Sequence, residues 1–272
     1  MLWADGKTLY KKIKTTRLGE GLNFAPRLLK AACLRTAQAV AEFVAEAKVH
    51  GADEVFAFAT AAVRTAENRD LFTDTVRGLC GLEVDVISGE EEAEIGLSGA
   101  LGGRDGGIID VGGASSEVTV RDGGKIVYAQ SVNIGTVRIL DAAGRNLKDI
   151  DGFIAGKISE YGARDFSAYE MYAVGGTASR LAAVKHGLKE YDASIIGGTV
   201  MTAEEVRGYA EKFTFLSPEE IRRTTLLTKS ADLIGGGAAL LSAVMSKFKI
   251  SEITVSESDN MEGYLLSKLG AI

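Results

Sequence analysis

The sequence contains few of the residues that build metal clusters, disulfide frameworks or rigid turns: it has two cysteines, two histidines and two prolines among 272 residues. Cys33 and Cys80 both fall in predicted amphipathic helices, where a small buried thiol is expected rather than a disulfide or a metal ligand. His50 and His186 lie at predicted helix ends without a second ligand nearby, so the sequence gives no support for histidine-based zinc chemistry.

Long apolar runs are also missing. The longest ones are far shorter than a membrane span, and residues 1–20 carry basic side chains rather than an apolar signal core. We therefore expect a cytoplasmic protein without a membrane partner. The net charge of −6 disfavours duplex nucleic acid as a partner. A hydrophobic content of 46% is sufficient for two compact domains in a chain of this length.

Strand and helix patterns alternate along the chain in two blocks, which predicts an α/β fold with a mixed sheet flanked by helices in each block. In the first block, strands are predicted over 8–15, 54–60 and 83–87, and helices over 26–49, 65–79 and 89–101. In the second, strands are predicted over 107–111, 116–121, 124–133, 170–174 and 252–256, with a closing helix over 260–269. The glycine-rich segment 102–107 is the predicted joint, and ligands are expected in the cleft between the blocks.

The segment 108–120 carries the most specific chemical signal. An apolar strand ends at Asp110, a run of small residues follows, and Glu117 opens a second β-branched strand. Such a hairpin gathers several backbone N–H groups between two carboxylates, a pattern that suits phosphate oxygens and their divalent cation. The alternative is a surface hairpin, but a two-residue turn does not need five small residues between two acids.

Three further segments point to the same chemistry. Arg64 follows a predicted strand, where it could bind phosphate, or it could be an ordinary solvated arginine. Gly175, Gly176 and Thr177 join a strand to a helix, a geometry that presents backbone N–H groups to an anion. The glycines at 235–237 could supply a third close approach of the backbone.

Three consecutive glutamates begin the helix predicted from residue 89. Such a run is usually a solvated group that complements the helix dipole, which fits Glu90. With Ser88 as the cap, Glu91 occupies the capping-box position. Glu92 has no such role, and it shares a helix row with Gly96 and Gly99, which another group can approach closely. We therefore predict that Glu92 is the general base.

These residues resemble the exopolyphosphatase and guanosine pentaphosphate phosphohydrolase family, known as the Ppx/GppA phosphatases, of the actin-like ATPase superfamily. The resemblance extends nearly end to end, through segments 16–22, 59–64, 88–93, 110–117, 131–138 and 174–177. It implies two actin-like, ribonuclease H-like domains with a cleft between them. It also implies a first domain over 1–105, joined by the returning segment 258–272, and a second domain over 106–257.

The resemblance implies a role for each candidate residue. Glu92 would activate the attacking water, Asp110 and Glu117 would bind Mg²⁺, and Arg64 would bind phosphate. The phosphate chain would be held by six small residues, Gly112, Gly113, Ala114, Ser115, Gly176 and Thr177.

The chain departs from the family pattern at several positions. Ala114 replaces the third glycine of the hairpin, and Ser230 and Met261 stand where family members typically have arginine. Family members also open with a strand and a first phosphate hairpin of the form D-x-G-S-x-S-x-R. Because Met1 lies just past the end of that hairpin, we expect it to be an internal methionine of a longer chain.

The expected function is Mg²⁺-dependent hydrolysis of a terminal phosphoanhydride, with inorganic polyphosphate or guanosine pentaphosphate as substrate. One alternative is a non-catalytic sensor of nucleotides or polyphosphate with the same fold. Another is a small-molecule kinase of the same superfamily, which the expected base disfavours because it implies water as the acceptor. The sequence leaves open which substrate is preferred and whether the protein forms a homodimer.

Overall fold

The computed structural model describes residues 1–5, 7–22, 24–225 and 230–270, and it divides into two compact units after Gly89. The elements of the first unit are β1 (Leu2–Ala4), β2 (Lys7–Tyr10), α1 (Lys30–Val49), β3 (Phe58–Ala59), α2 (Ala61–Arg64), α3 (Asp70–Cys80) and β4 (Asp85–Val86). Helix α4 (Gly89–Leu101) begins at the boundary. The remaining elements of the second unit are β5 (Gly106–Val111), β6 (Ser116–Asp122), β7 (Lys125–Val132), α5 (Thr136–Ala143), α6 (Leu147–Lys157), β8 (Met171–Val174), α7 (Gly175–Lys185), α8 (Ala193–Ile196), β9 (Val200–Thr202), α9 (Ala203–Phe215), α10 (Pro218–Thr224), α11 (Ile234–Lys247), β10 (Glu252–Val255) and α12 (Asn260–Lys268).

The first unit has less strand than its sequence predicts. Its described residues form an antiparallel pair, β1 with β2, and a parallel pair, β3 with β4, rather than one mixed sheet. The strand predicted over 54–60 contributes only Phe58 and Ala59 to the pairing, and Phe56 is 39% exposed. Its core lies among α1, α2 and α3, where Cys33 is buried as an unpaired thiol.

The second unit contains a six-stranded mixed sheet in the order β7-β6-β5-β8-β10-β9. The sequence predicts five of these strands, with β9 the exception. Strands β5, β6 and β7 form an antiparallel meander, whereas β8 runs parallel to both β5 and β10. Since successive side chains alternate between the faces of a strand, Ile109 and Val111 of β5 enter the main core while Ile108 contacts a smaller cluster with Leu97 of α4. Asp110 is therefore on the face of the sheet that α4 covers.

Helix α4 groups with the second unit because its glycines contact α12. A Cβ atom on Gly99 would lie 2.0 Å from the carbonyl oxygen of Asp259, and one on Gly263 would lie 1.8 Å from that of Ile95. These distances leave no room for a side chain, so the two helices pack backbone to backbone. The observed division after Gly89 precedes the joint expected near residue 105, and the expected two-domain boundaries stay a prediction.

One smaller prediction from the sequence is confirmed. His50 and His186 are the C-cap residues of α1 and α7. Within the described ranges, no helix is long and apolar enough to cross a membrane.

Candidate active site

The two hairpin carboxylates lie side by side on the sheet. Asp110 of β5 is paired directly with Glu117 of β6, and Glu117 is paired with Ser131 of β7, so all three side chains are on one face. The hydroxyl of Ser131 donates a hydrogen bond of 2.6 Å to Oε1 of Glu117. Ser131 orients the Glu117 carboxylate in this way.

Asp110 is surrounded by other acids. Burial, and then the negative charges of Glu117, Asp259 and Glu92, raise the pKa of its carboxyl well above the usual value. A divalent cation would relieve this repulsion, and carboxylate oxygens are the ligands that Mg²⁺ prefers. Among the described residues, no group of three or more histidine, cysteine, aspartate or glutamate side chains could hold a metal ion. Asp110 and Glu117 supply two carboxylates on one face of the sheet, a donor pair whose chemistry suits Mg²⁺.

The turn between these acids directs its carbonyl groups toward α5. The N–H of Thr136 donates to the carbonyl of Gly112 over 2.9 Å, and the N–H of Val137 donates to that of Gly113 over 2.9 Å. Arg138 reinforces the contact, since its Nε donates to the carbonyl of Ala114 over 2.7 Å. The hairpin carbonyls thereby cap the N-terminus of α5, which would otherwise have unsatisfied donors.

The same turn also carries backbone donors. In the part of the chain that the structure describes, no residue accepts a hydrogen bond from the backbone N–H of Gly113, Ala114 or Ser115. Consecutive N–H groups in such a turn form a concavity that binds anions. Gly135 makes the arrangement possible, because a Cβ atom there would lie 2.5 Å from the carbonyl of Gly113.

A second source of donors is the N-terminus of α7, which follows β8 at the carboxyl end of the sheet. Gly176 and Thr177 occupy its first turn, where backbone N–H groups have no acceptor inside the helix. The hydroxyl of Thr177 donates to the carbonyl of Val111 over 3.2 Å, which fixes this helix start to the end of β5. Gly175 adopts a φ of 79°, and a Cβ atom on it would lie 2.6 Å from Oδ1 of Asp110. The helix start therefore lies directly beside the Asp110 carboxylate.

Glu92 differs from the neighbouring glutamates as the sequence predicts. It is 6% exposed, whereas Glu90, Glu91 and Glu94 are exposed. Its charge is close enough to raise the pKa of Asp110. The prediction that the glycines beside Glu92 leave this helix face open to a ligand is wrong, however. Gly96 contacts Asn260 and Gly99 contacts Asp259, so these glycines admit α12 and not a ligand.

Arg64 and the glycines at 235–237, which the sequence predicts to contact phosphate, contact other parts of the protein. Arg64 ends α2 in the first unit, and its Nη1 donates to the carbonyl of Ile87 over 3.0 Å, just after β4. Its role in binding phosphate stays a prediction. The glycines at 235–237 lie inside α11. Their lack of side chains allows that helix to pack on α9, on Ile139 of α5 and on Thr177. The expected third approach to a ligand is therefore wrong.

Sequence reasoning missed Ser131 and Asp259. Ser131 could have been found from the register of the β5, β6 and β7 meander. Asp259 is the N-cap of α12, where its carboxylate accepts a hydrogen bond from the N–H of Met261 over 2.8 Å. Its proximity to Asp110 depends on a tertiary contact for which the sequence contains no local signal.

A model of the Ppx/GppA phosphatase family matches residues 4–271. The chain belongs to this family. Its Ppx/GppA relatives include exopolyphosphatase 2 of Mycobacterium tuberculosis, which is 27% identical over 96% of this chain and 89% of that protein. The bifunctional 3-dehydroquinate synthase/phosphatase of Fusobacterium nucleatum is also 27% identical over 96% of this chain, which spans only 42% of that protein. The guanosine-5′-triphosphate,3′-diphosphate pyrophosphatase of Photobacterium profundum is 37% identical over 50% of this chain and 28% of its own length.

Solved structures agree with the family assignment. An exopolyphosphatase-like protein superposes with a TM-score of 0.85 at 25% identity, covering 96% of this chain and 92% of its own. An exopolyphosphatase from Cytophaga hutchinsonii gives a TM-score of 0.81 at 20% identity over 98% and 91% of the two chains. The Aquifex aeolicus member of the Ppx/GppA family gives 0.72 at 24% over 94% and 87%. The last two likenesses concern the fold alone, and the predicted α/β fold of the actin-like class is confirmed.

Proposed function

We propose that this chain hydrolyses the terminal phosphoanhydride of inorganic polyphosphate or of guanosine pentaphosphate, releasing orthophosphate with Mg²⁺ as cofactor. The observation that carries the proposal is the turn between Asp110 and Glu117, which presents three N–H donors between two carboxylates. The family match and the names of the curated relatives support the reaction class.

The terminal phosphate would be bound by backbone donors. The N–H groups of Gly113, Ala114 and Ser115 have no other acceptor among the described residues, and those of Gly176 and Thr177 begin a helix whose dipole favours negative charge. We assign Arg64 to the same phosphate chain as a further cation. Transfer of a phosphoryl group to water needs positioning and charge neutralisation above all, and rigid backbone donors supply both.

Asp110 and Glu117 would hold the magnesium ion. Mg²⁺ is commonly bound by one or two carboxylates together with substrate phosphates and water, which agrees with the two carboxylates on this face. When bound, the ion neutralises charge on the phosphate oxygens. The hydrogen bond from Ser131 keeps the Glu117 carboxylate oriented for this role.

Glu92 would accept the proton of the attacking water. Its carboxylate is buried on the helix that covers the Asp110 face of the sheet, and it acts electrostatically on Asp110. A direct attack by water needs no covalent intermediate. The proposed base and the proposed metal ligands are then all carboxylates.

The test is orthophosphate release from polyphosphate, guanosine pentaphosphate and ATP, measured side by side with and without Mg²⁺. We expect Mg²⁺-dependent release from at least one of the first two substrates and its loss in Glu92→Gln. Binding of polyphosphate or guanosine pentaphosphate without any release would contradict the proposal and support the sensor alternative. Transfer of phosphate from ATP to a small acceptor would support the kinase alternative.

A further inference from the structure

The side chain of Arg180 folds back over the first turn of α7. Its Nη1 donates to the carbonyl of Gly176 over 3.2 Å, and a Cβ atom on Gly176 would lie 2.7 Å from the same nitrogen. Helical side chains point toward the N-terminus of their helix, so a long side chain in the second turn reaches the helix start. The guanidinium is therefore at the same helix start that approaches Asp110.

This guanidinium has no acid beside it. Across the described residues, no carboxylate lies within ion-pair distance of Arg180, whereas Arg207 is paired with Asp151 at 2.8 Å. Partial burial lowers the pKa of Arg180, and no neighbouring carboxylate counteracts that effect. A partly buried cation without a counter-ion is costly in a folded protein, which points to an anion that arrives from outside.

The position of Arg180 indicates which anion its guanidinium would bind. Gly175 contacts Asp110 and Gly176 contacts Arg180, and these glycines are consecutive. Given the fixed spacing of neighbouring Cα atoms, Oδ1 of Asp110 and Nη1 of Arg180 are at most about 12 Å apart. One short chain of linked phosphates can extend over that distance. A single orthophosphate bound by the hairpin donors would not need the second contact.

We infer that Arg180 forms a second anion subsite, which binds an inner phosphate of the substrate chain while the hairpin binds the terminal one. The inference rests on the proposed function, because it assigns a further residue to the same substrate. A planar guanidinium with several donors suits a phosphate oxygen pair, and this subsite favours substrates with linked phosphates over a single orthophosphate. Arg180 is then a binding residue that discriminates by chain length.

The experiment compares Arg180→Met and Arg180→Lys with a matched control, Lys185→Met. Lys185 lies on the same helix, but its ammonium group is already paired with Glu205 at 2.6 Å. Calorimetric titration without Mg²⁺ uses inorganic tripolyphosphate and orthophosphate as probes. We expect Arg180→Met to weaken tripolyphosphate binding by about tenfold or more and to leave orthophosphate binding nearly unchanged. Arg180→Lys should lie between Arg180→Met and the wild type, and Lys185→Met should bind both probes as the wild type does.

Thermal unfolding in anion-free buffer separates binding from a structural role. Because Arg180→Met removes a cation without a counter-ion, its melting temperature should equal or exceed that of the wild type. Unchanged tripolyphosphate affinity in Arg180→Met, or an equal loss for both probes with a lower melting temperature, would overturn the inference while the wild type still releases orthophosphate. A wild type that neither binds nor hydrolyses tripolyphosphate and guanosine pentaphosphate would overturn the proposed function as well.

Discussion

Gly175 lies against the carboxylate of Asp110, because a Cβ atom on the glycine would lie 2.6 Å from the carboxylate oxygen Oδ1. The φ of 79° at Gly175 adds a second requirement for glycine, since other residues rarely adopt it. One residue thus determines both the turn into α7 and the space that the carboxylate occupies.

Gly175→Ala should therefore reduce both stability and activity. The left-handed backbone alone should cost about 1 kcal/mol, and the displaced Asp110 carboxylate should lower the rate of phosphate release and raise the Mg²⁺ requirement. Gly187→Ala is the matched control, because Gly187 has a φ of 64° with open space around its Cβ position. We expect the control to lose only the backbone cost of about 1 kcal/mol and to keep its activity. Equal activities in the two variants would show that the Asp110 contact is irrelevant to the reaction.

Glu92→Gln should lower turnover by roughly two to four decades with little change in melting temperature, as loss of a general base does. The exposed Glu91 on the same helical turn provides the control, and Glu91→Gln should keep most of the activity. Phosphate release and thermal unfolding are measured for both variants. A larger loss in Glu91→Gln than in Glu92→Gln would show that the base is assigned to the wrong residue.

Asp110→Asn and Glu117→Gln should raise the Mg²⁺ concentration needed for half-maximal rate by about tenfold or more, because each removes a charged oxygen ligand. The comparison variant is Asp122→Asn, which changes an acid at the far end of β6. Mg²⁺ titrations of the initial rate distinguish the three variants. The metal assignment fails if both site variants titrate like the wild type.

Gly152→Ala and Gly208→Ala should each stabilise the protein by about 0.5–1 kcal/mol, since both glycines are exposed inside helices with free space at the Cβ position. Gly235→Ala provides the contrast, because a Cβ atom there would lie 2.8 Å from Cγ2 of Thr214 and 3.1 Å from backbone of α9. We expect it to destabilise the protein. Melting temperatures measured under identical conditions decide the sign of each effect.

The sequence predicts the second unit better than the first. The meander of β5, β6 and β7 is rich in β-branched residues and has clear glycine turns, so its strands and the pairing of Asp110 with Glu117 follow from local pattern. The apolar run 54–60 does not distinguish a long buried strand from a short pair with exposed flanks, and the structure has the latter. Short apolar runs of this kind carry no information about which neighbour will pair with them.

In the candidate site, too, local sequence pattern predicts some residues and not others. The capping position that distinguishes Glu91 from Glu92 is a local feature of the sequence, and Glu92 is the buried member of the run. The glycines beside Glu92 predict that some group approaches this face of the helix closely, but their spacing does not identify the group as α12. Asp259 and Arg180 depend on helix packing and on the absence of a counter-ion, and neither can be deduced from residue spacing.

The backbone contact between α4 and α12 has a consequence for the timing of activity. Glu92 and Asp259 belong to helices that admit no side chain between them at Gly99 and Gly263, so the position of α4 on the sheet depends on α12. Residues 260–268 are synthesised about 170 residues after the helix that they hold. Because a domain folds as a unit, and α4, the hairpin and α12 all belong to the second unit, Glu92 reaches its place on the sheet only once α12 has been synthesised. We therefore expect a variant that ends at residue 259 to release no orthophosphate, which the phosphate-release assay would test.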